Sequence, residues 1–163
     1  MIRLIVVPAL LATSVAAQEL TYDATLTESC IATAPDTTKC IGRAAESCME
    51  ATPGGYSTLG VGACLSREAE WWDARLNVVY RQLTAQHRVG DAENTSWGLP
   101  NPAMESSLRD MQRTWIAYRD ATCDWERAQW GGGTGQGPAG AKCLMRLTGE
   151  QTLLMEPRLE GRK

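Results

Sequence analysis

The chain has 163 residues with 16 basic against 19 acidic side chains, a formal net charge of −3 at neutral pH. That balance disfavours nucleic acid, which calls for a basic surface, and mildly favours a cationic partner. Six cysteines accompany a single histidine and no Cys-x-x-Cys occurs, so a zinc centre is poorly supplied.

Met1-Ile2-Arg3 gives a basic start, Leu4 to Val15 a short apolar run, and Ala16-Ala17 small residues at a cleavage position. This pattern is that of a secretory signal peptide, residues 1–17, and the expected location is periplasmic or secreted. The run is shorter than the ~20 residues that span a bilayer, so no membrane association is expected after cleavage. Cys30, the first cysteine, lies too far downstream to carry a lipid. Cleavage takes Arg3 with it, so the charge of −3 becomes −4. Cys30, Cys40, Cys48, Cys64, Cys123 and Cys143 all survive; an even number in an exported chain most simply means three disulfides.

Residues 18–34 carry few apolar side chains and no clear period, and are expected to form an irregular arm tethered through Cys30. Pro35-Asp36 then offers a helix start, with Asp36 as cap. Cys40, Ile41, Ala44, Ala45, Cys48 and Met49 mark one face of a short helix ending near Glu50. Thr52-Pro53-Gly54-Gly55 stops it, and Tyr56 to Gly62 reads as a loop. From Ala63 to Arg88, Leu65, Ala69, Trp72, Leu76, Val79 and Leu83 step by four and three, the longest periodic stretch of the chain. His87 falls in its last turn. Gly90 to Pro100 reads as a loop holding an isolated Trp97.

Asn101-Pro102 is a strong start for a helix running to about Gln129. Met104, Leu108, Met111, Trp115, Tyr118, Thr122 and Trp125 form its expected core face. The glycine run Gly131 to Pro138 lacks the Gly-Lys-Ser/Thr ending and preceding strand of a phosphate loop, so a flexible connector is expected. A last helix, about Ala139 to Met155, presents Cys143, Leu144, Leu147 and Leu154. The fold class is all-α: a small disulfide-stapled bundle of about four helices around a Trp, Leu and Met core, with at least two antiparallel pairs.

Six cysteines allow fifteen pairings, and sequence alone does not choose among them. Their placement on the helices favours Cys48 with Cys64 and Cys123 with Cys143, each flanking a glycine-rich segment, which leaves Cys30 with Cys40.

Cys64, Asp73, Leu76, Asn77 and Tyr80, then Gln112, Arg113, Trp115, Tyr118, Arg119, Asp120 and Cys123, and finally Cys143 with Leu147-Thr148, form a combined pattern. It resembles the C…D-x-x-L-N-x-x-Y…Q-R-x-W-x-x-Y-R-D-x-x-C…C signature of the LprI-like lysozyme inhibitor family, small exported bacterial helical proteins. The likeness spans about Cys48 to Leu154, within a helical domain placed at residues 35–163. It implies a protein that acts by contact on a cationic lysozyme, with no cofactor and no catalytic residues, the motif being mainly structural. Two departures stand out. Gln151 occupies a position where the resemblance implies arginine, and Cys30 and Cys40 exceed the family's usual four cysteines.

Three readings of function follow. The first is a binding protein that occludes the cleft of a lysozyme-type muramidase. The second is a structural or interaction module of the cell envelope without inhibitory activity, in which Arg113 and Arg119 pair with Asp73, Asp120 or Glu68 across helices. An enzyme is the third, with Glu68 and Asp73 as an acid-base pair, but no nucleophile motif or metal cluster accompanies them.

Overall fold

The longest periodic stretch becomes the spine of the molecule. A computed structural model describes residues 19–99, 103–159 and 161. The expected signal peptide and the Asn101-Pro102 start lie outside them. Five α-helices follow in chain order: α1 (Thr25–Thr33), α2 (Arg43–Ala51), α3 (Thr58–Ser96), α4 (Met104–Ala128) and α5 (Gln136–Leu159), with a 3₁₀ turn at Thr37–Cys40 between α1 and α2. No strand occurs among the described residues, and no helix among them is long and apolar enough to cross a membrane.

α3 is about 58 Å long at 1.5 Å per residue. It buries Leu65, Trp72, Leu76, Val79 and Leu83, the stripe expected from the sequence. It also begins earlier and ends later than its apolar pattern. Ser57 Oγ accepts from the Gly60 amide at 3.1 Å and caps the helix, so Thr58 to Gly62 are helical rather than loop. A Cβ on Gly60 would sit 2.4 Å from the Gly54 carbonyl oxygen, so only glycine fits there. At the other end, residues 90–96 are helix where a loop was expected. Asp91 uses them to reach across, its carboxylate accepting from the Met104 and Glu105 amides at 2.8 and 3.0 Å. α3 thus supplies the cap that α4 lacks locally, since Ala103 offers no side-chain acceptor. α3 closes on Gly98, at φ 68°, with Leu99 N–H to Asn94 and Gly98 N–H to Thr95 carbonyls.

α4 runs back antiparallel to α3, and α5 antiparallel to α4. α3 and α5 are therefore parallel, and theirs is the most extensive packing in the fold. α5 is the most enclosed helix, burying Ala141, Cys143, Met145, Leu147, Thr148, Gln151, Thr152 and Met155. It starts within the glycine run, at Gln136, because Pro138 fits a first helical turn. Of the run, only the portion before Gln136 is a connector. A Cβ on Gly135 would strike the Trp130 ring, which folds over it. On α5, Leu154 points outward and is half exposed, against the expected face.

The segment before α2 is also more ordered than expected. Its centre is a helix, α1, whose one fully buried residue is Thr27. Asp36 does cap, accepting from Thr38 N–H at 3.2 Å, but it caps the 3₁₀ turn. The chain then breaks at Gly42, φ 99°, before re-entering helix at Arg43. The single helix expected from Asp36 to Glu50 is thus a turn, a left-handed glycine and a shorter helix. The three disulfides join Cys30 to Cys40, Cys48 to Cys64 and Cys123 to Cys143, with Cα separations of 5.6, 5.7 and 5.4 Å. Each closes a neighbouring pair of elements, the arrangement favoured by their placement in the sequence.

Candidate functional site

Glu68 organises the N-terminal half. It is fully buried on α3, yet its carboxylate is saturated: Oε1 accepts from Gly42 N–H at 2.7 Å, Trp72 Nε1–H at 3.1 Å and Thr27 Oγ1–H at 3.2 Å, and Oε2 accepts from Ala45 N–H at 2.7 Å. The charge therefore sits on the N-terminus of α2, where free amides and the helix dipole favour an anion. Thr27 Oγ1 in turn accepts from Ala44 N–H at 3.2 Å, tying α1 to the same point. Among the described residues Glu68 neither pairs with an arginine nor faces a cleft, which corrects both roles weighed for it.

The motif residues separate into three groups. Leu76 is core, and Tyr80 and Trp115 pack partly buried against the Leu76, Val79 and Leu83 cluster. Gln112 is buried and its Oε1 accepts from Gln151 Nε2 at 3.1 Å, so a neutral amide pair occupies the seam between α4 and α5. Asp73, Asn77, Arg119 and Asp120 form a surface knot. Asn77 Nδ2 donates to Asp73 at 2.9 Å, and Arg119 lies 3.8 Å from Asp73 and 2.8 Å from Asp120. The guanidinium also stacks 5.0 Å from the Trp115 ring centroid. These exposed carboxylates hold the arginine in place more than they stabilise the fold. Arg113 is exposed on the outer side of α4, away from the knot.

Beside the knot a groove of about 840 Å³ runs between α3 and α5, walled by Ala69, Asp73, Asn77 and Arg81 on one side, Ala141, Leu144 and Thr148 on the other, with Arg119 overhanging it. It is open to solvent, and Glu70 and Asp73 stand on its α3 wall.

α4 departs furthest from expectation. Its covered line is Leu108, Gln112, Trp115, Arg119 and Cys123, while Met111, Tyr118 and Trp125, seven residues apart, lie rotated off that line toward solvent. Tyr118 is 60% and Trp125 61% exposed, and Trp130 just beyond the helix is 56% exposed. Polar residues took the inner positions because each finds a partner there: Gln112 has Gln151, and Arg119 has Trp115 and two carboxylates. The rings are left outside, while Asp120 and Asp124, on another side of the helix, pair with Arg119 and Arg127.

A model of the family described as lysozyme inhibitor LprI matches residues 48–153. The chain belongs to the LprI family. The matched span runs from the end of α2 to α5 and holds the motif, the groove, the exposed rings and two of the three disulfides. α1, the Cys30–Cys40 bridge and the α2 amides that Glu68 caps precede it. An uncharacterized protein of Rhizobium meliloti is 27% identical over 105 residues, 64% of this chain and 76% of that one. An uncharacterized 17.7 kDa protein of Rhodobacter capsulatus, from the puhA 5′ region, is 24% identical over 162 residues, 98% and 99% of the two chains. No solved structure matches. Within the LprI span, no group of three His, Cys, Asp or Glu side chains suited to a metal occurs among the described residues.

Proposed function

We propose that this chain is an exported, periplasmic or secreted protein that binds a lysozyme-type muramidase and blocks its cleft by surface contact. Membership of the LprI family supports this class of target. The observation that carries the reading to a surface is the exposed ring series Tyr118, Trp125 and Trp130. Exposed aromatic side chains are the usual anchors of a protein interface, and the chain's net negative charge suits a cationic enzyme and speeds its approach. The Cys123–Cys143 disulfide, two residues from Trp125, keeps that surface from reorganising, so little ordering is needed on binding.

The test is peptidoglycan turnover by several lysozymes with and without the purified chain, with complex formation followed by calorimetry. Inhibition at one chain per enzyme is expected, and Tyr118→Ala with Trp125→Ala should weaken it by at least ~30-fold, the effect of losing one interface anchor of about 2 kcal/mol. Unchanged turnover and no complex would remove the inhibitor reading. A stable complex with an envelope protein other than a muramidase would favour an interaction module.

A further inference from the structure

Away from the Arg119 groove, toward the tip of the α3–α4 hairpin, a second cleft of about 370 Å³ is lined by Leu83 and His87 of α3, Met104, Leu108 and Met111 of α4, and Met155 of α5, among others. Three thioethers and the only imidazole in the chain meet there. Met111 Sδ and Met155 Sδ lie 3.3 and 3.5 Å from the same Gln151 Nε2, so the two sulfurs flank one amide nitrogen and stand within about 7 Å of each other. Met104 Cε lies 2.8 Å from where a Cβ on Gly90 would stand, so Met104 packs on the turn of α3 that follows His87, and both line the cleft. His87 Nδ1 is sealed from solvent and has no hydrogen-bond partner among the described residues.

We propose that this cleft binds a soft monovalent metal ion, Cu(I), through the methionine sulfurs and His87. Thioether and imidazole are the donors that suit Cu(I), whereas Mg²⁺ and Ca²⁺ prefer oxygen and structural Zn²⁺ sites rely on thiolate. The wall carries no carboxylate, so neutral ligands face a singly charged ion. The one cationic side chain there, Arg158, donates to the Leu154 carbonyl. All six cysteines are in disulfides, so no thiolate competes for the metal. Gln151 Nε2 gives one hydrogen to Gln112 Oε1 and has one left for the two sulfurs, so both keep lone pairs free, and Met111, which borders solvent, provides the way in. Methionine is also an ordinary core filler. Packing alone gives no reason for an imidazole nitrogen shut away without a partner among three thioethers.

The experiment titrates the disulfide-bonded chain with Cu(I), without oxygen and with ascorbate, against bicinchoninate as a coloured competing chelator. One Cu(I) per chain should leave the chelator, and X-ray absorption should find both sulfur and nitrogen around the ion. Met111→Leu and Met155→Leu preserve volume, and each should weaken binding by at least about tenfold, as should His87→Gln. Thermal melts identify any variant that fails to fold, leaving the others to decide. No transfer from the chelator, or transfer that all three folded variants retain, would overturn the proposal.

Discussion

Replacing Glu68 by glutamine changes one atom of the side chain, yet it tests how the N-terminal half is held. The best placement of the amide keeps its oxygen at the Oε1 position, preserving the bonds from Gly42, Trp72 and Thr27. Its NH₂ group must then face the Ala45 N–H, which donates to Oε2 in the native chain. One charge-assisted bond is lost, a buried amide is left unsatisfied, and the three remaining bonds become neutral. A charge-assisted bond contributes ~1.5–3 kcal/mol and an orphaned buried donor costs ~1–3 kcal/mol. Because the two overlap, a net loss of about 2–4 kcal/mol is expected. For a domain of this size that lowers Tm by roughly 5–15 °C. The assay is thermal unfolding followed by circular dichroism with the disulfides intact, accompanied by limited proteolysis, which should cut first within residues 19–47. A variant melting within ~2 °C of the native chain, with the same cleavage pattern, would show that Glu68 does not anchor α1 and α2.

Three further outcomes are expected. Tyr22 buries its hydroxyl with no partner among the described residues, and burial first, then the nearby Glu68 charge, pushes the phenol far above its ordinary value of 10.0. Only the unfolded chain ionises this group just above pH 10, so stability should fall as pH rises past that point; Tyr22→Phe should flatten the fall and, by removing an unsatisfied hydroxyl, leave the neutral-pH Tm unchanged or higher. At the acid end, the side-chain hydrogen bond from Arg88 chiefly, against the opposing effect of burial, holds the Glu105 carboxyl below its ordinary 4.5. The stability it adds is present above that value and lost as pH falls through the lower folded one, so a Glu105→Gln melt series should depend less on pH below 4.5. Opening the Cys123–Cys143 bridge as a double serine variant should cost about 3 kcal/mol, read from urea unfolding, because it frees a loop of 20 residues.

Much of this architecture was legible because apolar spacing and cysteine placement act locally. Leu65, Trp72, Leu76, Val79 and Leu83 repeat at helical intervals and are buried as a line, and each cysteine pair flanks a turn that lets two elements meet. What stayed hidden depends on contacts between distant residues. α1 gave no signal because its buried residue is a threonine whose partner, Glu68, lies 41 residues away. Residues 90–96 look like a loop in isolation and are helical in a fold where Asp91 has two amides of another helix to bind. On α4, periodicity placed Met111, Tyr118 and Trp125 on one face correctly but not which way that face points, since the inner line includes Gln112 and Arg119. His87, expected in a last helical turn, sits well inside α3 beside methionines that are remote in sequence.

The Asp91 contact has a consequence for how the chain can vary. A hairpin's alignment is ordinarily dictated by its connecting segment, but here a carboxylate on one rod grips the leading amides of the next, backed by Arg88 and Glu105. The clasp, rather than the span between residues 99 and 103, fixes how far one rod slides along the other. Lengthening that span by a few residues should leave the alignment intact, making the hairpin tip a place where sequences of this kind can gain or lose residues without disturbing the bundle.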